Sequence, residues 1–544
     1  SFNTDAGYTL DYLYYNSNHP YKEDNGRIIE KNRFIMTNLV ETFATYDNTW
    51  GDFTFGAMAG HSFQKTSMRS NSIDAQNFPS PSFDVVGVAA NIAGVSGGLA
   101  EYAMESYFGR VSLSYKDRYV INATLRTDGS SRFAPDCRWG YFPSVSVGWN
   151  VSKEAFWNSP ETELKLRASY GKTGNQDGIS NYGWQPLISG GANYGGQSGI
   201  AVSSKGNANL TWETADQYDV GFDLSLLGGK INMMFDTYLK NTNNLLYLKP
   251  VHSTTGQTSM LSNIGSMRNY GIEFTLNTHV NLGPVHWTSS LNISHNKNKL
   301  TKLLGDDTIS IGSNHALQVG KEIGSFYLLR FDGIYQYDGE VSAPEYDMGV
   351  RAGDAKYYDR DGNGTINDTD RIVVGSPNPD FSGGWNNSFT YKGLNLSVFF
   401  TYSYGADVYA QWMTGPTRLG NYQGILQEWA DNRWTGPGST NKYPRAVYSY
   451  HGNNNRSSTY YLKDASFIKL KSVMLSYTLP TRWAQAMRMK SVRVYVQGEN
   501  LALISKYPGW DPEISTSLDP CFIGIDNYGV PAPRIFKAGI NITF

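Results

Sequence analysis

Two alternations run through this chain together: apolar and polar residues alternate within segments, and short and long connections alternate between segments. In "LNLSVFFTYSY", Leu394, Leu396, Val398, Phe400, Tyr402 and Tyr404 fall on one face of an extended strand. Asn395, Ser397, Thr401 and Ser403 fall on the other, with Phe399 as the exception. "RYVINATLRTD" sets Tyr119, Ile121, Ala123 and Leu125 against Asn122, Thr124, Arg126 and Asp128. The final segment sets Phe536, Ala538, Ile540, Ile542 and Phe544 against Lys537, Gly539, Asn541 and Thr543.

Tight turns are predicted at "YDNTWGD", "YKDR", "LLGGK", "NLGP" and "YKGL", and long loops near 67–103, 173–210, 242–263, 298–380, 405–465 and 503–532. A water-soluble sandwich has no reason to gather its long loops at one end, whereas a transmembrane barrel does so by construction. The expected fold is therefore all-β, a transmembrane antiparallel β-barrel spanning residues 1–544. Counting gives about sixteen strands, and an even number places the C-terminus on the periplasmic, short-turn side with the long loops extracellular. The apolar face meets lipid and the polar face lines a wet lumen. Arg110, Arg126, Glu273 and Arg493 fall on that inner face, either as solvated wall or as contacts for a plug or substrate.

Composition agrees with this reading. Charged residues are 17% with a formal net charge of −2, and no basic run stands out, which argues against nucleic acid as a partner. The 38 Tyr, 13 Trp, 25 Phe and 56 Gly suit strands, turns and interfaces. No segment approaches the roughly 18 consecutive apolar residues of a spanning helix. The opening "SFNTDAGYTLDYLYYN" has neither a basic start nor an apolar stretch, so it reads as internal to something longer. Cys137 and Cys521 lie in predicted loops, too few for a disulfide framework and without zinc spacing, and sequence leaves their pairing open.

"DRDGNGTINDTD" is a twelve-residue calcium-loop pattern of EF-hand type, apart from Asp in the last place. Asp359, Asp361 and Asn363 would supply side-chain oxygens and Thr365 a backbone carbonyl. Asn367 would make a direct or water-mediated contact, and Asp370 would close the set around Ca2+. An acidic turn without metal has the same composition, because Asp, Asn and Gly favour turns for local reasons.

No enzyme chemistry is expected. "GVSGG" makes Ser96 formally a nucleophile-elbow serine, but that motif needs a strand before it and a helix after it. The eight histidines show no zinc spacing, and no phosphate-binding glycine loop precedes a helix.

Longer words in the sequence carry a resemblance. "YFGRVSLSYKDRYVINATLRTDGSSRF", "WGYFPSVSVGWNVSKEAFW", "LKLRASYGKTGNQ", "NIGSMRNYGIEFTL", "DASFIKLKSVMLSYTLP", "VYVQGENLALIS" and "YPGWDPE" occur in family order. They closely resemble the C-terminal part of SusC/RagA-type TonB-dependent outer-membrane transporters. The resemblance implies about the last sixteen strands of a twenty-two-stranded barrel. The plug, the TonB-contacting segment and the first strands would lie outside this chain. Open strand edges are not tolerated in lipid, so the rest of the barrel is expected from a second chain or from a longer protein. The resemblance further implies TonB-energised import of oligosaccharides or peptides under a SusD-like lipoprotein lid. "YLLRFDGIYQY" and "YSYGADVYAQW" would stack on sugars, pack on the lid or form interfacial girdles.

Asp in the last place of the calcium loop also resembles dockerin loops. The rival reading, a soluble calcium-stabilised carbohydrate-binding protein, would need a second such loop and flanking helices, and neither is present. A passive porin differs only in lacking a plug.

Overall fold

A computed structural model of the chain describes residues 2–13, 26–80, 82–252, 254, 256, 259–303, 308–415, 424–447 and 453–544. Sixteen strands hydrogen-bond in sequence order as one sheet. They are β1 (Phe2–Leu13), β2 (Arg27–Trp50), β3 (Phe53–Gln76), β4 (Asn91–Tyr115), β5 (Tyr119–Ser130), β6 (Trp139–Asn150), β7 (Glu163–Asn175) and β8 (Glu213–Leu226), followed by β9 (Ile231–Pro250), β10 (Ser259–Leu282), β11 (Val285–Lys302), β12 (Phe381–Tyr391), β13 (Leu394–Tyr404), β14 (Phe467–Thr478), β15 (Ser491–Ser505) and β16 (Ile535–Thr543).

Short and long connections alternate along this order. Five of the short ones are turns of two to four residues, whereas β6–β7 and β14–β15 are joined by twelve residues each, the latter carrying the short helix Thr481–Ala486. Tyr391 pairs with Leu394 across Lys392 and Gly393, whose φ values of 47° and 89° are the two positive angles that a type I′ turn requires. Lys116 and Asp117 adopt positive φ in the turn between β4 and β5, as Leu227 and Gly228 do between β8 and β9. The turn geometry matches the right-handed strand twist, which is why these hairpins close without splaying.

The chain forms two compact units. The first comprises Ser1–Gly148, Ser169–Gln217 and Thr242–Ile264. In it β2 pairs with β3 from Arg27↔Gln76 to Trp50↔Phe53, and β3 pairs with β4 over the same length. Phe133, Phe142, Ile179, Leu210 and Trp212 form a buried cluster within it, with the Trp212 indole donating to the Arg138 carbonyl at 2.9 Å. Along β5 the apolar alternation appears as exposure: Tyr119, Ile121 and Leu125 are exposed on one face, and Leu125 is 57% exposed. Arg126 lies on the opposite face, bound to Asp128 at 2.8 Å and to the Ser106 hydroxyl at 2.9 Å.

The second unit comprises Trp149–Ala168, Tyr218–Asn241 and Gly265–Phe544. In β15 and β16 the exposed apolar face repeats with Val494, Val496, Phe536, Ile540 and Ile542, while Arg493 alternates with them. Its long connections carry small sheets of their own. One joins the short strands Ile309–Ile311, His315–Leu317, Phe326–Leu328 and Ile372–Val374, and another pairs Phe331–Ile334 with Ala355–Tyr357. A third sets Asp407–Ala410 between Leu462–Asp464, antiparallel, and Ile525–Asp526, parallel.

Several sequence boundaries change. Most of 67–103 is strand rather than loop, because β3 runs on to Gln76 and β4 begins at Asn91. This stretch is rich in Ser, Gly and Asn, so its ladder is held by backbone bonds without an apolar stripe to advertise it. Most of 242–263 is likewise β9 and β10. Ser96 sits inside β4 opposite Ser72, with no strand-turn-helix elbow around it. Cys137 and Cys521 are both free thiols.

Candidate metal centre and its loop assembly

The calcium-pattern loop hangs between two short strands, Ala355–Tyr357 before it and Ile372–Val374 after it. Its middle is pinned by Ile366, which is buried with Leu329, Ala355 and Tyr357. The Ile366 N–H donates to Glu345 Oε1 at 2.9 Å, and Arg456 Nη1 caps the Ile366 carbonyl at 2.5 Å. Glu345 lies on the short helix Ala343–Asp347, whose N-cap Ser342 donates its hydroxyl to the Gly364 carbonyl. The turn itself needs glycine, since Gly362 and Gly364 sit at φ 71° and 80°.

On this frame the carboxylates of Asp359, Asp361 and Asp370 converge, with one oxygen from each within 4.8 Å of the others. Asp359 accepts N–H bonds from Gly362 and Gly364, each at 2.7 Å. Asp370 is fully buried and accepts the N–H groups of Arg360 and Asn367, each at 2.8 Å. Asp361 takes the Thr369 hydroxyl at 2.7 Å, and that bond, helped by the Asn363 N–H, holds its carboxyl below the ordinary range.

The remaining three residues of the pattern are less direct. Asn363 meets Asp361 through its amide nitrogen at 2.9 Å, so its oxygen joins the set only if the amide turns over. Asn367 Oδ1 caps the next turn, accepting the Thr369 N–H at 2.8 Å. Thr365 contributes no side chain to the cluster; its carbonyl accepts a long bond from Asn367 Nδ2 at 3.4 Å. Spacing alone missed Thr369, Glu345 and Ile366. The apolar eighth position of the loop was the one available signal, and Ile366 occupies it.

The loop belongs to a larger buried assembly. Asp354 is fully buried, and Arg445 grips it with bonds of 2.8 and 3.0 Å while Asn454 Nδ2 adds a third at 3.0 Å. Asn453 and Asn454 also bond to the Ala355 backbone, each at 2.8 Å. Phe326, Leu328, Tyr409, Tyr460 and Tyr461 form the aromatic core, in which burial pushes the Tyr409 phenol up to about 12. His315 is buried between Phe326 and Phe522, with ring centroids 5.0 and 5.9 Å away. Its Nε2 donates to the Ile523 carbonyl at 3.1 Å; burial holds its pKa below the ordinary value, and that bond partly opposes the shift. The phenylalanines and tyrosines of "YLLRFDGIYQY" and "YSYGADVYAQW" are divided, with Tyr335 and Tyr409 buried and Tyr337 and Tyr404 exposed.

Strands in sequence order with an apolar face turned outward, and hairpins alternating with elaborate loops, define a transmembrane β-barrel. The chain belongs to the TonB dependent receptor-like β-barrel family, whose model matches residues 1–501. It is 32% identical to TonB-dependent receptor P3 of Formosa agariphila over 94% of this chain and 53% of that protein. It is 31% identical to TonB-dependent receptor SusC of Bacteroides thetaiotaomicron over 81% of this chain and 43% of that protein. A solved structure of the RagAB peptide transporter matches with a TM-score of 0.86 at 23% identity, covering 100% of this chain and 59% of that one, a likeness of fold. The chain spans about half the length of the curated relatives it matches. It is barrel sequence of a SusC-type TonB-dependent receptor of the outer membrane.

Proposed function

We propose that the chain is the conduit of an importer that moves oligosaccharides or peptides into the periplasm with TonB-delivered energy. A plug-bearing portion outside this chain would couple to TonB, and a SusD-like surface lipoprotein would act as the lid. The observation that carries this reading is the 31% identity to SusC over 81% of the chain. The long loops face outward in this reading, and the C-terminus faces the periplasm. The chain performs no chemistry of its own, since passage needs binding and gating only.

Uptake of labelled oligosaccharide and peptide pools by cells carrying the complete transporter tests the proposal. Import that vanishes when TonB is deleted supports it. Import that persists without TonB makes the barrel a passive pore, and recovery of the protein from the soluble fraction without detergent returns the soluble binding protein.

A second reading is favoured by one observation, the convergence of three carboxylates within 4.8 Å around a wholly buried Asp370. The loop would hold one structural Ca2+ through Asp359, Asp361, Asn363, Asp370 and the Thr365 carbonyl, with Asn367 acting through water. These are hard oxygens in a relaxed loop, a set that calcium accepts and that magnesium, with its demand for octahedral geometry, resists. Titration calorimetry of the complete transporter should show calcium binding that Asp361→Ala removes; heat signals identical in wild type and variant would refute the site.

A further inference from the structure

We propose that Asn363 is a self-modification site: the main-chain nitrogen of Gly364 attacks its side-chain amide, ammonia is lost, and a fourth carboxylate joins Asp359, Asp361 and Asp370. The modification stands on the loop's own geometry. Its effect on cation binding rests on the calcium reading above.

Asn363 is exposed, and the residue after it has no Cβ to shield the main-chain nitrogen. Each of the three reacting atoms has a partner suited to its part. The Gly364 N–H, on the nucleophile, donates to Asp359 Oδ2 at 2.7 Å, so its proton has an acceptor in place. Asn363 Oδ1 accepts the Thr365 N–H at 2.7 Å, a donor that polarises the amide carbon and receives the charge that attack places on oxygen. Asn363 Nδ2, the leaving group, is held by Asp361 Oδ2 at 2.9 Å.

The frame behind these atoms is fixed. The Gly364 carbonyl accepts the Ser342 hydroxyl, and Ile366 is buried two residues on. Attack by the next residue's nitrogen closes a five-membered ring, an intramolecular step that pays no encounter entropy. Turning the Asn363 side chain toward an anchored nitrogen completes the approach.

Asn367 supplies a contrast within the same loop. It too is exposed, and its Oδ1 accepts the Thr369 N–H at 2.8 Å in the same kind of turn, but Asp368 follows it and brings a Cβ. Asn453 and Asn454 are buried, and each precedes another asparagine.

The step consumes only water. A bond forms between Gly364 N and Asn363 Cγ, the bond from Cγ to Nδ2 breaks, and the Gly364 N–H proton, relayed through Asp359 and water, ends on the departing ammonia. One water then adds across either carbon–nitrogen bond of the cyclic imide. Opening at Cγ leaves Asp at 363 with the main chain intact; opening at the main-chain carbonyl carbon leaves isoaspartate. The first product raises the charge of the loop's oxygen set, one of the two properties that tune calcium affinity, and the second lengthens the main chain between ligands.

The complete transporter, aged at neutral pH and digested with trypsin, provides the test. The peptide from Asp361 to Arg371 carries both asparagines, so tandem mass spectrometry reads target and control in one molecule, and an aliquot digested without ageing fixes the background. Asn363 should convert about tenfold faster than Asn367, counting Asp and isoaspartate together. Asn363→Gln should leave only the Asn367 background, with heat-modified gel migration showing that the variant is folded. Conversion at Asn363 no faster than at Asn367 overturns the site. In calorimetry, Asn363→Asp should bind calcium about tenfold more tightly than the unaged wild type. Equal affinities overturn the gain of charge as the consequence, whereas no calcium binding by either protein sinks the calcium reading while the peptide map still decides the modification.

Discussion

Leu125 and Phe326 are both large apolar residues on β-strands, yet Leu125 is 57% exposed and Phe326 is fully buried. Leu125 belongs to a membrane strand, whose apolar side chains face outward and whose interior side carries arginines and carboxylates. Phe326 belongs to the loop assembly, which packs its aromatics inward as a soluble domain does. The same chain thus answers to two solvents. Hydrocarbon accepts an apolar outer face only where backbone groups are paired, which the ladder provides for the strands between the two edges of the sheet. Water demands a buried core, and the long connections build one from Phe326, Tyr409, Tyr460 and Tyr461.

The sharpest way to break this contrast is to empty the loop core. Phe326→Ala should destabilise the assembly by about 3–5 kcal/mol, as large-to-small core substitutions do. Limited proteolysis should then cut within 303–380 and 405–466 while heat-modified migration of the barrel stays unchanged; loss of both together would mean that the two regions do not differ in what holds them.

The second test concerns exposure itself. On a soluble surface an exposed leucine can become arginine at almost no cost. Leu125→Arg should instead cost about 2–4 kcal/mol, the range for a charge on a lipid-facing barrel position. Urea titration in liposomes reads this directly, and an unchanged midpoint would move Leu125 out of the bilayer.

A smaller effect is expected from the calcium-pattern loop. Asp361→Ala or chelation should raise protease sensitivity between about residues 340 and 380, by the linkage through which a bound ion stabilises the folded form, about 2.7 kcal/mol when calcium is at 100 times its dissociation constant. The barrel's heat resistance should not move. Equal digestion of this segment with and without calcium would leave only the acidic turn.

The smallest effect is a pH dependence. His315 has its pKa depressed below the ordinary 6.5 by burial, so the folded assembly resists the proton that the unfolded chain accepts. Its contribution is complete above 6.5 and is lost as pH falls through the folded value. Protease sensitivity of the loops should therefore rise below that pH, and His315→Gln should flatten the profile. A profile that keeps its slope in the variant would assign the titration to another group.

How much was legible follows the same division. Membrane strands announce themselves, because one face meets lipid and the other water, and Tyr119, Ile121, Ala123 and Leu125 alternate as that requires. The extensions of β3 and β4 do not, since a strand wetted on both faces has no apolar period, and 67–103 therefore read as loop. The carboxylate spacing of the calcium-pattern loop was legible, and the structure brings Asp359, Asp361 and Asp370 together. Its supports were not legible, because Glu345 sits on a short helix earlier in the same connection and Arg456 comes from a different one. Nor does anything in "NYGV" betray the positive φ of Tyr528.

The small sheet around Asp407–Ala410 also bears on how the chain folds. Asp407 pairs with Asp464 just beyond the ends of β13 and β14, and the Ala465 N–H bonds to the Ala406 carbonyl at 2.8 Å. The long excursion from 411 to 461 therefore leaves from the tip of a continued hairpin, and its ends are already clamped. Closing a loop costs entropy that grows only logarithmically with length, about 0.6 kcal/mol per doubling, and here the clamp bears that cost locally. Residues inside the excursion can therefore change without shifting the register of any membrane strand, because the clamp and not the excursion holds the two hairpin arms together.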